Sequence, residues 1–233
     1  MKRLFVTLGA IAALAACTPP AGQDSASGTD PSLKAKAAGA AGGDERFFGE
    51  ERFTIVMAHT GQQTGVSTLH VREWGRKRAE IKDLTINFAG MTQPMRERVI
   101  NEGARIITID PTSGAGSATD NPLYADVVEA MRGRDGVAFG AEIMTRMGGR
   151  RTGESGTFAG HACDYWEVAQ LGTRSCVTPW GGTLRVSSAL AGLTIEQTAT
   201  EVRLGDGGPD DAFAYDPSKV TAAPDVGDIL DKM

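Results

Sequence analysis

The sequence predicts an α+β domain that is mainly β: an antiparallel strand meander with one face covered by one or two helices. Three observations predict it. Short runs alternate apolar and polar residues on both sides of the chain's middle, and one central stretch changes to helical spacing. Glycine is abundant, at 30 of 233 residues, and it punctuates the alternating runs. Alternating strands need cover on one face, and amphipathic helices can supply it.

The first alternating run is Phe53, Ile55 and Met57 against Thr54, Val56 and Ala58. A turn over Gly61–Gly65 leads to a second strand, Val66–Trp74, with Leu69 and Val71 on one face and His70, Arg72 and Trp74 on the other. Gly75 starts a third over Arg76–Phe88, where Leu84, Ile86 and Phe88 alternate. Arg96–Asn101 and Ala104–Asp110 read as a hairpin across Glu102-Gly103, and the branched Ile106, Ile107 and Ile109 favour strand. Pro111–Asn121 reads as a polar Gly/Ser loop. Asn121-Pro122 then reads as a cap followed by proline at the first helical position, with Leu123, Val127 and Met131 on one stripe. A second helix is expected over Val137–Met147, ended by Gly148-Gly149. Strands resume at Arg151–Phe158, Ala162–Ala169, Thr173–Thr178, Thr183–Ser188 and Leu193–Leu204.

The ends of the chain differ from its middle. Met1-Lys2-Arg3, the apolar run Leu4–Ala16 and the small residues before Cys17 make a secretory signal over residues 1–16. The run falls short of the roughly 20 residues a transmembrane helix needs. Leu14-Ala15-Ala16-Cys17 resembles the lipobox of bacterial lipoproteins. That resemblance implies cleavage before Cys17, a diacylglycerol on its sulfur and an acylated (palmitate-type) amino group. Thr18, where an Asp often holds such proteins in the inner membrane, favours the outer membrane facing the periplasm. Residues 17–46 form the lipidated cysteine and a flexible linker, almost without large apolar side chains. Its typical span is roughly 30 Å. The globular domain is expected over residues 47–217, with a helical insertion at about 122–148. An acidic flexible tail is expected over 218–233, because eight acids face three bases from Glu201 to Met233.

The formal charge is −5, and loss of Lys2 and Arg3 with the signal makes it −7. An acidic mature protein argues against a nucleic-acid partner. Cys163 and Cys176 remain as a pair in an oxidising compartment, where a disulfide is expected.

No motif for catalysis or for a cofactor stands out. Gly114-Ala115-Gly116-Ser117 lacks the third glycine of a dinucleotide fingerprint. Gly153-Glu154-Ser155-Gly156 is followed by Thr157, so it fails as a nucleophile elbow. His161, Cys163 and Cys176 have the chemistry of zinc ligands, but the expected disulfide competes for both sulfurs. No enzyme, metal or cofactor is therefore expected. Five of eight methionines fall between Met91 and Met147. Methionine adapts to irregular apolar partners, so Met131, Phe139, Ile143, Met144 and Met147 are the candidate lining of an apolar cavity; filling core between helices and sheet is the competing explanation. Arg132, Arg134, Arg146, Arg150 and Arg151 flank the same region, either as an anion-facing rim or as ordinary solvated charges.

The order of meander, helical insertion and further strands is similar in outline to periplasmic lipoprotein-carrier-like (LolA-like) proteins. Gly160-His161-Ala162-Cys163-Asp164-Tyr165-Trp166, then Cys176-Val177-Thr178, Gly182, Leu184-Arg185 and Phe213, carry the likeness to uncharacterised lipoproteins of that fold. It implies a curved antiparallel sheet forming an unclosed β-barrel, with helices plugging an apolar concave face that takes acyl chains. The expected function is a membrane-anchored, non-catalytic envelope lipoprotein that binds a lipid-like or apolar ligand. The alternative is a structural or assembly lipoprotein that binds another envelope protein.

Overall fold

The structure is a computed structural model of the whole chain, and it describes residues 45–88, 90–190 and 193–223. The signal, Cys17 and nearly all of the linker lie outside the described residues, as does the chain after 223. Twelve strands form one sheet: β1 (Phe53–Gly61), β2 (Gln63–Arg72), β3 (Lys77–Phe88), β4 (Met91–Glu102), β5 (Arg105–Ile109), β6 (Gly116–Asp120), β7 (Gly149–Phe158), β8 (His161–Val168), β9 (Thr173–Val177), β10 (Thr183–Leu190), β11 (Leu193–Leu204) and β12 (Val220–Ala222). Their order is β12-β6-β5-β4-β3-β2-β1-β11-β10-β9-β8-β7. Helices α1 (Tyr124–Met131) and α2 (Gly136–Arg146) are inserted between β6 and β7.

Neighbouring strands are antiparallel except β12 and β6, which run parallel. The sheet is curled enough to bring β7 back against β11, four strands away, yet β7 and β12 remain its two edges. The architecture is thus an unclosed half-barrel with helices. Bulges assist the curl, because an extra residue in one strand bends it. In β11, Thr200 is extra opposite Val56/Met57; in β7, Thr152, Gly153 and Glu154 bulge between Arg151 and Ser155.

Strand register separates two apolar clusters onto opposite faces. Phe53 of β1 faces Val71 of β2, and Ile55 faces Leu69; these point inward with Met57, Ala199, Leu184, Cys176 and Cys163. One residue along, Thr54 faces His70, His70 faces Ala79, Ala79 faces Ile100 and Ile100 faces Ile107; this row points outward. The outer row is buried beneath the chain after β11. Ala212 and Phe213 pack on Ala79, Ile100, Ile107 and Ile109. Arg72 ties this strap down, donating to the carbonyls of Gly207 and Gly208, pairing with Asp210 at 2.7 Å and lying 4.4 Å from the Phe213 ring centroid.

Four expectations need correction. Gly116–Asp120 is a strand, because β5 and β12 pair with its two edges; the sequence places a loop there. The chain stays structured beyond 217: Asp216 caps a turn at Pro217–Lys219, and Val220–Ala222 pair with β6, so the tail does not begin at 218. Strand β2 ends at Arg72, since Glu73 and Trp74 take left-handed φ values of 53° and 52°. The Trp74 carbonyl then accepts from the amides of Phe47 and Phe48. Helix α1 starts at Tyr124, preceded by a turn in which Asn121 Oδ1 accepts from Leu123 N. Among the described residues, no helix is long and apolar enough to cross a membrane.

Candidate functional site

A cleft of about 450 Å³ opens beside the start of α2. Its helix wall is Val137, Ala138 and Ala141, its opposite wall is Pro179 and Trp180, and Gly49, Asp135 and Arg151 complete it. Each wall has a local cause. Asp135 Oδ1 accepts from Ala138 N at 2.8 Å, so it caps the helix while lining the cleft. Gly136 is held against residues 46 and 47, where a Cβ would lie 1.7 Å from the Arg46 carbonyl. Trp180 projects from a turn closed by Thr178 N donating to the Gly182 carbonyl and Gly182 N donating to Thr178 Oγ1. Its ring lies over Gly182, where a Cβ would meet it at 2.0 Å, and packs against Phe53 at 4.8 Å between centroids. Phe48 meets the same Phe53 edge-on at 5.1 Å, so the cleft floor continues into the inner core. The lining is largely apolar, with one acid and one base at its margin.

None of Met131, Phe139, Ile143, Met144 and Met147 is among the residues lining this cleft. Met131 is buried at the end of α1, and the other four are half-buried on α2 and the turn after it. Phe139 lies beneath the Arg134 guanidinium. Trp180 escaped the sequence reading because Pro179–Gly182 showed only a turn. The five arginines of the expected rim each meet an acid: Arg132 with Glu129, Arg134 and Arg146 with Glu142, Arg150 with Glu167 and Arg151 with Asp164. Cys163 and Cys176 are joined by a disulfide, with Cα atoms 5.3 Å apart. Their sulfurs are therefore not available to zinc, and among the described residues no group of three or more His, Cys, Asp or Glu side chains is arranged to hold a metal.

A polar row crosses the inner face between β1 and β4. His59 Nε2 lies 2.8 Å from Ser67 Oγ. Next to this pair Lys82, only 6% exposed, meets Glu97 at 2.9 Å and Glu80 at 3.3 Å. Burial pulls the Lys82 pKa down, but Glu80 and the hydrogen bond to Glu97 outweigh it and hold the ammonium above its usual range. Burial, then the Lys82 charge, holds His59 below its ordinary value. His59 Nδ1 is buried without a hydrogen-bond partner, and Ser67 is 4% exposed. Among the described residues the Ser–His contact thus lacks the acid that orients a catalytic histidine, and Ser67 is buried.

A second cleft, about 270 Å³, opens at the end of β3 and β4 between Tyr124, Gly103, Arg76, Lys77, Glu45, Glu73 and Glu102. Its cations are paired, Arg76 with Glu73 at 3.1 Å and Lys77 with Glu102 at 3.0 Å.

Fold and site together define a class: an unclosed half-barrel with a largely apolar cleft beside its second helix. No family model matches the chain, and no curated protein matches it. Among solved structures it is similar to an uncharacterized conserved protein from Thermus thermophilus, with TM-score 0.48 and 6% identity over 75% of this chain and 91% of that one. It is also similar to a chain of the Pseudomonas aeruginosa MucA/MucB complex, with TM-score 0.39 and 14% identity over 71% of this chain and 56% of that one. LprF from Mycobacterium bovis gives TM-score 0.32 and 12% identity over 69% and 87%.

Proposed function

We propose that the chain is a non-catalytic envelope lipoprotein, anchored by lipid on Cys17 in the outer membrane, which binds a lipid-like or apolar ligand in its half-barrel. The observation that carries the binding role is the cleft between α2 and Trp180. Its volume of about 450 Å³ lies within the range of small-molecule sites, and its walls are apolar apart from Asp135 and Arg151 at the margin. Native mass spectrometry of the full chain, purified from a bacterial envelope in mild detergent, tests it. The expected result is a co-purified fatty acid or phospholipid, reduced at least tenfold by Ala141→Phe, which fills the cleft from the helix side. A bare mass that stays bare after added fatty acid overturns the reading. For the anchor, Cys17→Ser is expected to move the chain out of the membrane fraction; retention there would exclude lipidation at that residue.

One observation favours the alternative, an assembly protein that binds another envelope protein. The β3–β4 hairpin presents Phe88 and Met91, 55% and 67% exposed, opposite one another at its tip. Two exposed apolar side chains side by side at a hairpin tip offer a point of contact for a partner. A bare protein whose in-cell crosslinks are lost on Phe88→Ser/Met91→Ser would establish that role instead.

A further inference from the structure

On the inner face, Arg78 of β3 stands between Val71 of β2 and Asn101 of β4, with Ile106 one strand further. Among the described residues its guanidinium meets no acceptor. Nε is buried and unbonded, and no hydrogen bond or ion pair forms at either terminal nitrogen, which keep some contact with solvent. The buried Nε nitrogens of Arg98 and Arg174 differ, because their guanidinium groups are bonded elsewhere, to Asp211 and Glu154. Burial holds the Arg78 pKa below its usual range, and Tyr124 and Glu80 only partly offset this. Glu80 is already committed to Lys82 at 3.3 Å. Tyr124, which couples electrostatically to Arg78, lines the 270 Å³ cleft, and Arg78 itself is not among the residues lining it.

A partly buried guanidinium without a counter-charge is costly, and a planar fork of five donors matches a carboxylate or phosphate in two parallel hydrogen bonds. We infer that Arg78 receives the oxyanion head group of the ligand, and that the ligand is an anionic amphiphile. Its apolar part would lie against the apolar residues of the inner face. This inference rests on the apolar-ligand reading above and adds a requirement for negative charge that neither the Trp180 cleft nor the paired surface arginines impose.

The test uses the full chain in lipid nanodiscs, with empty discs as the blank, and four probes measured by calorimetry: octanoate, octyl phosphate, octanol and inorganic phosphate. Octanoate and octyl phosphate are expected to bind at least tenfold more tightly than octanol. Arg78→Met is expected to lose at least tenfold for both anions and nothing for octanol. Arg78→Lys, which keeps the charge but not the fork, should lose less. Because Arg78→Met removes an uncompensated charge, its Tm without ligand should be no lower than that of the parent. Equal binding of octanol and the anions overturns the inference while leaving the apolar site standing. Anion binding unchanged in Arg78→Met overturns it too, as does a lower Tm with no anion-specific loss, which would make Arg78 structural. Inorganic phosphate binding as tightly as octyl phosphate replaces the amphiphile with a free anion. If no probe binds, both readings fall.

Discussion

Thr54 holds three parts of the molecule with one hydroxyl. Its Oγ1 donates to the Asp206 carbonyl at 2.9 Å and lies 2.9 Å from His70 Nδ1. A hydroxyl has one proton, and the carbonyl takes it, so His70 Nδ1 carries a hydrogen and donates to Thr54. Burial sets the His70 pKa below the ordinary 6.5, with Asp206 opposing and Arg203 and Arg72 assisting. His59 shifts in the same direction. The unfolded chain therefore binds more protons than the folded one as pH falls through 6.5, and stability declines until the folded histidines also titrate. The urea midpoint is expected to be lower at pH 5 than at pH 8, with the drop smaller in His70→Gln. A flat profile would show that neither histidine is held neutral. Gly208 has φ of +74°, and a Cβ there would meet His70 Nδ1 at 2.2 Å. Gly208→Ala should therefore lose about 1–3 kcal/mol in the same denaturation assay.

Among the elements, the strap after β11 and the β8–β9 hairpin make separable contributions. Phe213 is 5% exposed in the outer cluster, so Phe213→Ala should cost about 3–5 kcal/mol, the range for buried aromatics. A loss below 1 kcal/mol would mean that the strap does not support the sheet. The disulfide closes a short loop, with sequence separation 13, and Cys163→Ser/Cys176→Ser should lower stability by about 3 kcal/mol. Elements differ in how far their residues announce them. Strand β1 was legible, since Phe53, Ile55 and Met57 must share a face. Strand β6 was not, because Gly116-Ser117-Ala118-Thr119-Asp120 has no branched apolar side chain and owes its conformation to neighbours distant in sequence. Strand β12 has three residues in an acidic stretch, too few to show a period.

At the scale of the whole molecule, one sheet serves two cores, inward through β1, β2 and β8–β11 and outward through β3–β6. The sheet class was legible because alternation and glycine spacing are local. The site was much less so. Part of the cleft wall is made by small residues, Gly49, Ala138 and Ala141, whose size and spacing mark no site in the sequence. Arg78 lies within a regular strand pattern, and only the surrounding fold leaves its guanidinium without an acceptor among the described residues. The docking of residues 46–49 has a mechanical consequence. Phe47 and Phe48 hang from the Trp74 carbonyl, Gly49 donates to the Trp180 carbonyl, and Gly49 is itself a wall of the cleft. Tension entering at residue 45 would therefore load the Trp74 turn and then this wall before it reached β1, and so would act on the site's aperture.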